Sequence, residues 1–145
     1  MKKLSFFILN LLFVATSVTS QTTIKQAVGN KLGGGIVFSV TEDGLHGLIV
    51  ETQDQGSCDF NAISTLIAKA ENHSALGKAF TDWRLPSREE ATMLYSQKSK
   101  VAGLSGVIWT STNGKGMVYV LDTATGKMTA VAKAVKNKVR SIRAF

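Results

Sequence analysis

The segment TDWRLPSREEATMLY, Thr81 to Tyr95, constrains the fold more than any other part of the chain. It holds the only proline, Pro86, directly before Ser87-Arg88-Glu89-Glu90. That tetrapeptide has the form of a capping box. Ser87 is placed to accept from the backbone N–H of Glu90, and the Glu90 side chain to reach back to the N–H of Ser87. Pro86 suits the entry to the helix, and Glu89 and Glu90 complement its positive end. Ala91, Leu94 and Tyr95 then share one face for a core. The two adjacent glutamates point in different directions, which argues against a paired acid–base site. Trp83 and Leu85 complete the packing side of the segment, and Arg84 and Arg88 are left without a settled role.

The rest of the chain alternates between sheet and helix signals. GGGIVFSV and LHGLIVE flank the turn residues Glu42-Asp43-Gly44 and predict a hairpin. The stretch Asp59 to Phe80 reads as helical, with Ile63, Leu66, Ile67 and Ala70 on one face, Asp59 or Asn61 as cap and Gly77 near its end. After Gly106 the pattern turns to β. VIWTST is one strand, MVYVLD and KMTAVAK flank a Thr123–Gly126 hairpin loop, and KVRSIRAF closes the chain. AVAKAVK suits either a strand or a helical turn. The expected class is α+β: an N-terminal hairpin, two helices and a C-terminal antiparallel sheet.

The first twenty residues read as a secretory signal peptide. Lys2 and Lys3 precede an apolar run, Leu4 to Val14, and a small-residue stretch, Ala15 to Ser20. Val18 and Ser20 suit the −3 and −1 positions, so cleavage is expected before Gln21. The run is too short for a transmembrane helix of ~20 residues. The expected organisation is a leader over 1–20, an N-terminal segment over 21–32 and one domain over 33–145. The protein is expected to be exported, periplasmic or extracellular, with no transmembrane anchor after cleavage. A single cysteine, Cys58, excludes an internal disulfide.

Charge separates the two halves. Without Lys2 and Lys3, the 17 basic residues become 15 against 10 acidic ones. Residues 21–95 carry 6 basic and 9 acidic residues, whereas residues 96–145 carry 9 basic ones and only Asp122. Such a one-sided field attracts polyanions. Lys127, Lys133, Lys136, Lys138 and Arg140 are the candidate contacts, with Lys136, Lys138 and Arg140 on one face of an extended chain. Trp109 and Tyr119 are candidates to stack on sugar rings, with core packing as the competing role. Arg84, Arg140 and Arg143 have two readings: bidentate contact with sulfate or carboxylate, or structural bridges to Glu90 and backbone carbonyls. A calcium site needs six to eight clustered oxygens, and His46, His73 and Cys58 lack zinc-ligand spacing. No metal, cofactor or catalytic residue is expected.

Four blocks in order, GGGIVFSVTEDGLHGLIV, TDWRLPSREEATMLY, VIWTST and VRSIRAF, resemble the collagen-like adhesin C-terminal (Lcl-type) domain family over Gly33 to Phe145. Trp83, Arg84, Leu85, Pro86, Glu90, Leu94 and Tyr95 match its helix block. Trp109 and Ser111 match its aromatic strand, and Val139, Arg140, Ile142, Arg143 and Phe145 its closing strand. Ala91 is smaller than the leucine usual there, the Val50–Asn61 loop is shorter, and no collagen-like stalk is present. The resemblance implies a C-type-lectin-like fold and a non-catalytic module that binds anionic polysaccharide at cell surfaces. A protein-interaction subunit of an envelope or secreted assembly is the alternative. The WRLPS block is also similar to the formylglycine-generating enzyme fold, and a degenerate relative of those enzymes would have to use Cys58.

Overall fold

The computed structural model describes residues 23–145; the expected leader over 1–20 lies outside them. The described chain is mixed α+β. Its strands are β1 (Lys31–Leu32), β2 (Gly35–Val40), β3 (Gly47–Glu51) and β4 (Ser57–Cys58). Helix α1 (Ile63–Ala68) and helix α2 (Arg88–Ser96) follow. Then come β5 (Val107–Gly114), β6 (Met117–Asp122), β7 (Met128–Ala132), β8 (Asn137–Lys138) and β9 (Ile142–Ala144). Among these residues two sheets form, in the orders β1-β2-β3-β9 and β4-β8-β5-β6-β7. All pairs are antiparallel except β5 with β8.

The first hairpin pairs β2 with β3 as its apolar runs predict. Those runs are continuous rather than alternating because both faces of the sheet are covered. Ile36, Phe38 and Val50 pack with Ala91 and Leu94 of α2. Val37 and Ile49 pack on the opposite side against Trp83, with Phe80 and Phe145 around them. The second sheet is also sandwiched. Ile108 and Leu121 face the α2 core, whereas Trp109, Val118 and Val120 face Ile63 and Leu85.

The closing residues do not extend the C-terminal sheet as expected. β9 crosses to the first sheet and pairs with β3, Val50 opposite Ile142. Its other edge meets the WRLP segment. Arg84 N–H donates to Ile142 O at 2.9 Å, and Ile142 N–H returns to Arg84 O at 2.8 Å. Two residues on, Pro86 O accepts from Ser111 N–H of β5 at 2.8 Å. Residues 84–86 therefore join the two sheets by main-chain bonds.

The long helix expected from Asp59 to Phe80 is broken into short turns. Asp59 caps the first of them, as expected, accepting from Asn61 N–H and Ala62 N–H. Helix α1 then ends at Ala68, and Lys69 is extended. The cause is capture of its final carbonyls: Asn72 Nδ2 donates to Leu66 O at 2.8 Å, and His73 Nε2 lies 2.6 Å from Ile67 O. Side-chain bonds here replace the helical ladder. Ala70 consequently leaves the apolar face and is exposed.

Helix α2 starts where the capping box places it. Glu90 N–H donates to Ser87 Oγ at 3.1 Å, and Ser87 N–H donates to Glu90 Oε2 at 2.7 Å. Arg84 adds two further donors, to Glu90 Oε2 and Oε1, each at 2.7 Å. Those bonds, with the Ser87 N–H, hold the Glu90 carboxyl below its ordinary value of 4.5 despite partial burial. A carboxyl with a lowered folded value stabilises the fold above its unfolded value and loses that contribution as pH falls through the folded one. Ser87→Ala is expected to cost about 1 kcal/mol. Urea midpoints followed from about pH 7 to about pH 3 should fall in the wild type and fall less in Glu90→Gln, which has no proton to take up at that position.

Candidate functional site

Part of the chain's unpaired positive charge lies along one border of the second sheet. Among the described residues β7 pairs only with β6, leaving its other edge open. Lys127 precedes this strand and Lys133 follows it, both exposed. Six residue steps at ~3.3 Å place them about 20 Å apart. Lys136 is exposed in the turn that follows. None of these three lysines is in a salt bridge among the described residues. Asp122, the one acid of this half, is bound into its own turn by Ala124 N–H. That bond, the Thr125 hydroxyl and the Thr125 N–H keep its carboxyl ionised well down in pH.

Sequence reasoning missed Lys115. It lies in the two-residue turn between β5 and β6, beside the strand end where Met117 pairs with Ala132. Register therefore brings it near Lys133. Both turn residues have positive φ, 51° at Lys115 and 77° at Gly116, the mirror-image geometry that tight hairpins favour. The signal was present as Asn113-Gly114-Lys115-Gly116, which was obscured because the strand runs on through Asn113 and Gly114.

Two of the expected polyanion contacts do not join this border. Arg140 is 3% exposed. Its guanidinium donates to Gly103 O, Ala102 O and Thr52 O at 3.1 to 3.3 Å. Burial lowers its pKa, with Asp54 and Glu51 opposing. Lys138 is paired with Asp54 at 3.0 Å and donates to Ser105 Oγ. The extended-chain argument grouped them with Lys136 because it could not see the short β8 turning both toward the Asp54 loop.

The aromatic candidates separate as well. Trp109 is fully buried, 0% exposed, with its Nε1 bonded to Cys58 O at 2.9 Å and Phe60 edge-on at 5.5 Å. It is a core residue and no stacking platform. Tyr119 is half-buried, and Arg88 lies over its ring at 4.7 Å. The remaining arginines are structural too. Arg84 holds Glu90, while Arg143 bonds Asp82 Oδ1 at 2.7 Å and lies 3.9 Å over the Phe80 ring.

A buried pair escaped the sequence reading altogether. Glu51 is 0% exposed, and its Oε2 lies 3.0 Å from His73 Nδ1. Oε1 accepts from the N–H groups of Thr52 and Gln53. His73 Nε2 faces the Ile67 carbonyl, which only accepts, so that nitrogen carries a proton. Both ring nitrogens are therefore committed, and neither can serve a nucleophile. Trp83 stacks on the imidazole at 5.7 Å. Gly77 packs against the Glu51 carboxylate, where a Cβ would collide with it. The partners are 22 residues apart, with no local pattern to reveal them.

Neither a scan against protein-family models nor a search of curated proteins finds a match for this chain. Chemistry at its reactive groups follows from geometry alone. Burial, then the neighbouring Asp59, raises the pKa of the Cys58 thiol. That disfavours the thiolate a nucleophile needs. Among the described residues, no three of His, Cys, Asp and Glu gather closely enough to hold a metal ion.

Leaving a buried hydrogen-bonding group without its partner costs about 1–3 kcal/mol. Glu51→Ala strips acceptors from His73 and from two backbone N–H groups, and is expected to cost that much in urea denaturation. Glu42→Ala, on the exposed turn, should stay within about 0.5 kcal/mol of wild type.

Proposed function

We propose that this chain is an exported, non-catalytic binding module of the Lcl-type, C-type-lectin-like class. Its ligand is an anionic polysaccharide, sulfated or acidic, or another anionic cell-surface polymer. The observation that carries the reading is the open border of β7, where Lys127, Lys133 and Lys136 stand exposed without carboxylate partners among the described residues. A small anion cannot touch charges separated by about 20 Å of strand, whereas a polymer spans them. Lysine also suits the task, as a hydrated point charge that adapts to irregularly spaced anions. The ordered four-block resemblance supports the class, and the apolar run after Lys3 supports export. The absence of a free histidine nitrogen at His73 and the raised Cys58 thiol support a non-catalytic role.

The same open edge favours a second reading, a protein partner that adds a strand to β7. Main-chain bonds would supply that affinity, so it would depend weakly on salt.

Salt dependence separates the two. On an immobilised sulfated glycan the protein should be retained at low ionic strength and released as salt screens the lysines. Replacing Lys127, Lys133 and Lys136 together with alanine should weaken binding at least threefold, from about 0.2–1 kcal/mol per exposed charge. Lys115→Gly is the sharper variant. It removes a charge while relieving a left-handed backbone that costs roughly 1 kcal/mol for a side-chain-bearing residue. Weaker glycan retention with an equal or higher melting temperature is expected. No retention at low salt, or retention indifferent to these changes, sinks the polymer reading.

A further inference from the structure

A cleft of about 800 Å³ opens between α1 and the Gly77–Leu85 segment, on the side of the fold where the Trp83 and Trp109 cores meet. Its walls are Phe60, Ile63, Ile67, Phe80, Trp83 and Leu85. The buried polar atoms at this wall are already bonded. Trp83 Nε1 donates to Gly77 O, and both nitrogens of His73 are bonded to Glu51 and Ile67. The breaking of α1 at Ala68 is what leaves the space unfilled, since the extended chain at Lys69 departs from the Ile63–Ile67 face.

The charge around the cleft is one-sided. His73, Lys78 and Arg84 line it, and no acidic residue among those described does. Arg84 is engaged by Glu90 through two bonds, and His73 by Glu51. Lys78 is exposed and joins no salt bridge among the described residues. An apolar trough with a single uncommitted cation selects for an apolar body bearing one negative charge. The volume falls within the ~300–1,000 Å³ typical of small-molecule sites.

We infer that this cleft is a second binding site, for a single-chain anionic amphiphile of the fatty-carboxylate type, with its chain along Ile63, Ile67, Phe80 and Leu85 and its carboxylate at Lys78. The site is separate from the lysine border of β7 and does not depend on it. Lys133, whose ammonium lies 5.6 Å from the Phe60 ring, marks where the two surfaces approach each other.

The test uses dodecanoate below its micelle concentration and dodecanol as a neutral match, followed by calorimetry. Saturable one-to-one binding of dodecanoate is expected. Ser64→Trp, an exposed position on α1 at the rim, should weaken it at least about tenfold without changing the melting temperature. Ala68→Phe, also exposed on the rim, replaces it if the melt changes. Lys78→Ala should weaken dodecanoate about threefold to fivefold and leave dodecanol unaltered. Lys133→Ala should leave both unaltered. Absence of saturable binding, or binding indifferent to the rim variants, overturns the site. Equal losses for dodecanol in Lys78→Ala overturn the role of the charge. Displacement of dodecanoate by a sulfated glycan overturns its separateness from the polymer surface.

Discussion

Everything in this fold hangs on three residues in extended conformation. Arg84 exchanges two main-chain bonds with Ile142 of the first sheet, and Pro86 accepts one from Ser111 of the second. Proline has no N–H to give, but its carbonyl is free, and the position asks only for an acceptor. Side chains on either side of this joint anchor different cores: Trp83 belongs with Val37 and Ile49, Leu85 with Trp109 and Val120. The capping box begins one residue later, so the direction of α2 is set by the same joint. With α2 fixed, the apolar faces of both sheets have a common surface to close on.

Arginine and lysine divide their labour in this molecule. Arg84 and Arg140 each use several guanidinium donors at once, on a carboxylate or on clustered carbonyls, while Arg143 gives its Nε–H to Asp82 and stacks on Phe80. A planar fork of five donors suits such crowded acceptor sets. The lysines at 115, 127, 133 and 136 have no such engagement with a carboxylate among the described residues. Net charge alone would count both types together. Burial and bonding separate them: these four lysines leave charge available to solvent, whereas Arg140 is buried and Arg84 and Arg143 are each held by a carboxylate.

What the sequence made legible was local. The Ser87–Glu90 box, the β2–β3 hairpin and the Thr123–Gly126 loop each have their signals within a few residues, and each formed where those signals lie. The helix expected over Asp59–Phe80 failed for a non-local reason. His73 is drawn to Glu51, and with Asn72 it takes the carbonyls that would have continued the helix. The basic border was readable as composition, but its membership was not. Arg140 and Lys138 left it for the Asp54 loop and neighbouring carbonyls, and Lys115 entered it through hairpin register. The cleft could not be read at all, because it is a product of the broken helix.

The placement of β9 has a consequence for how the chain folds. Val50 must find Ile142, and the Arg84–Ile142 joint needs the same strand. Ordering the loop between such distant partners costs entropy before any contact rewards it. The first hairpin and α2 are local enough to form early, yet their shared core stays open until β9 docks. The topology therefore places closure of the shared core among the longest-range contacts of the fold, which are expected to form late. Under the export proposed above, such lateness would be an advantage, since the chain would stay threadable until its closing strand is free to return.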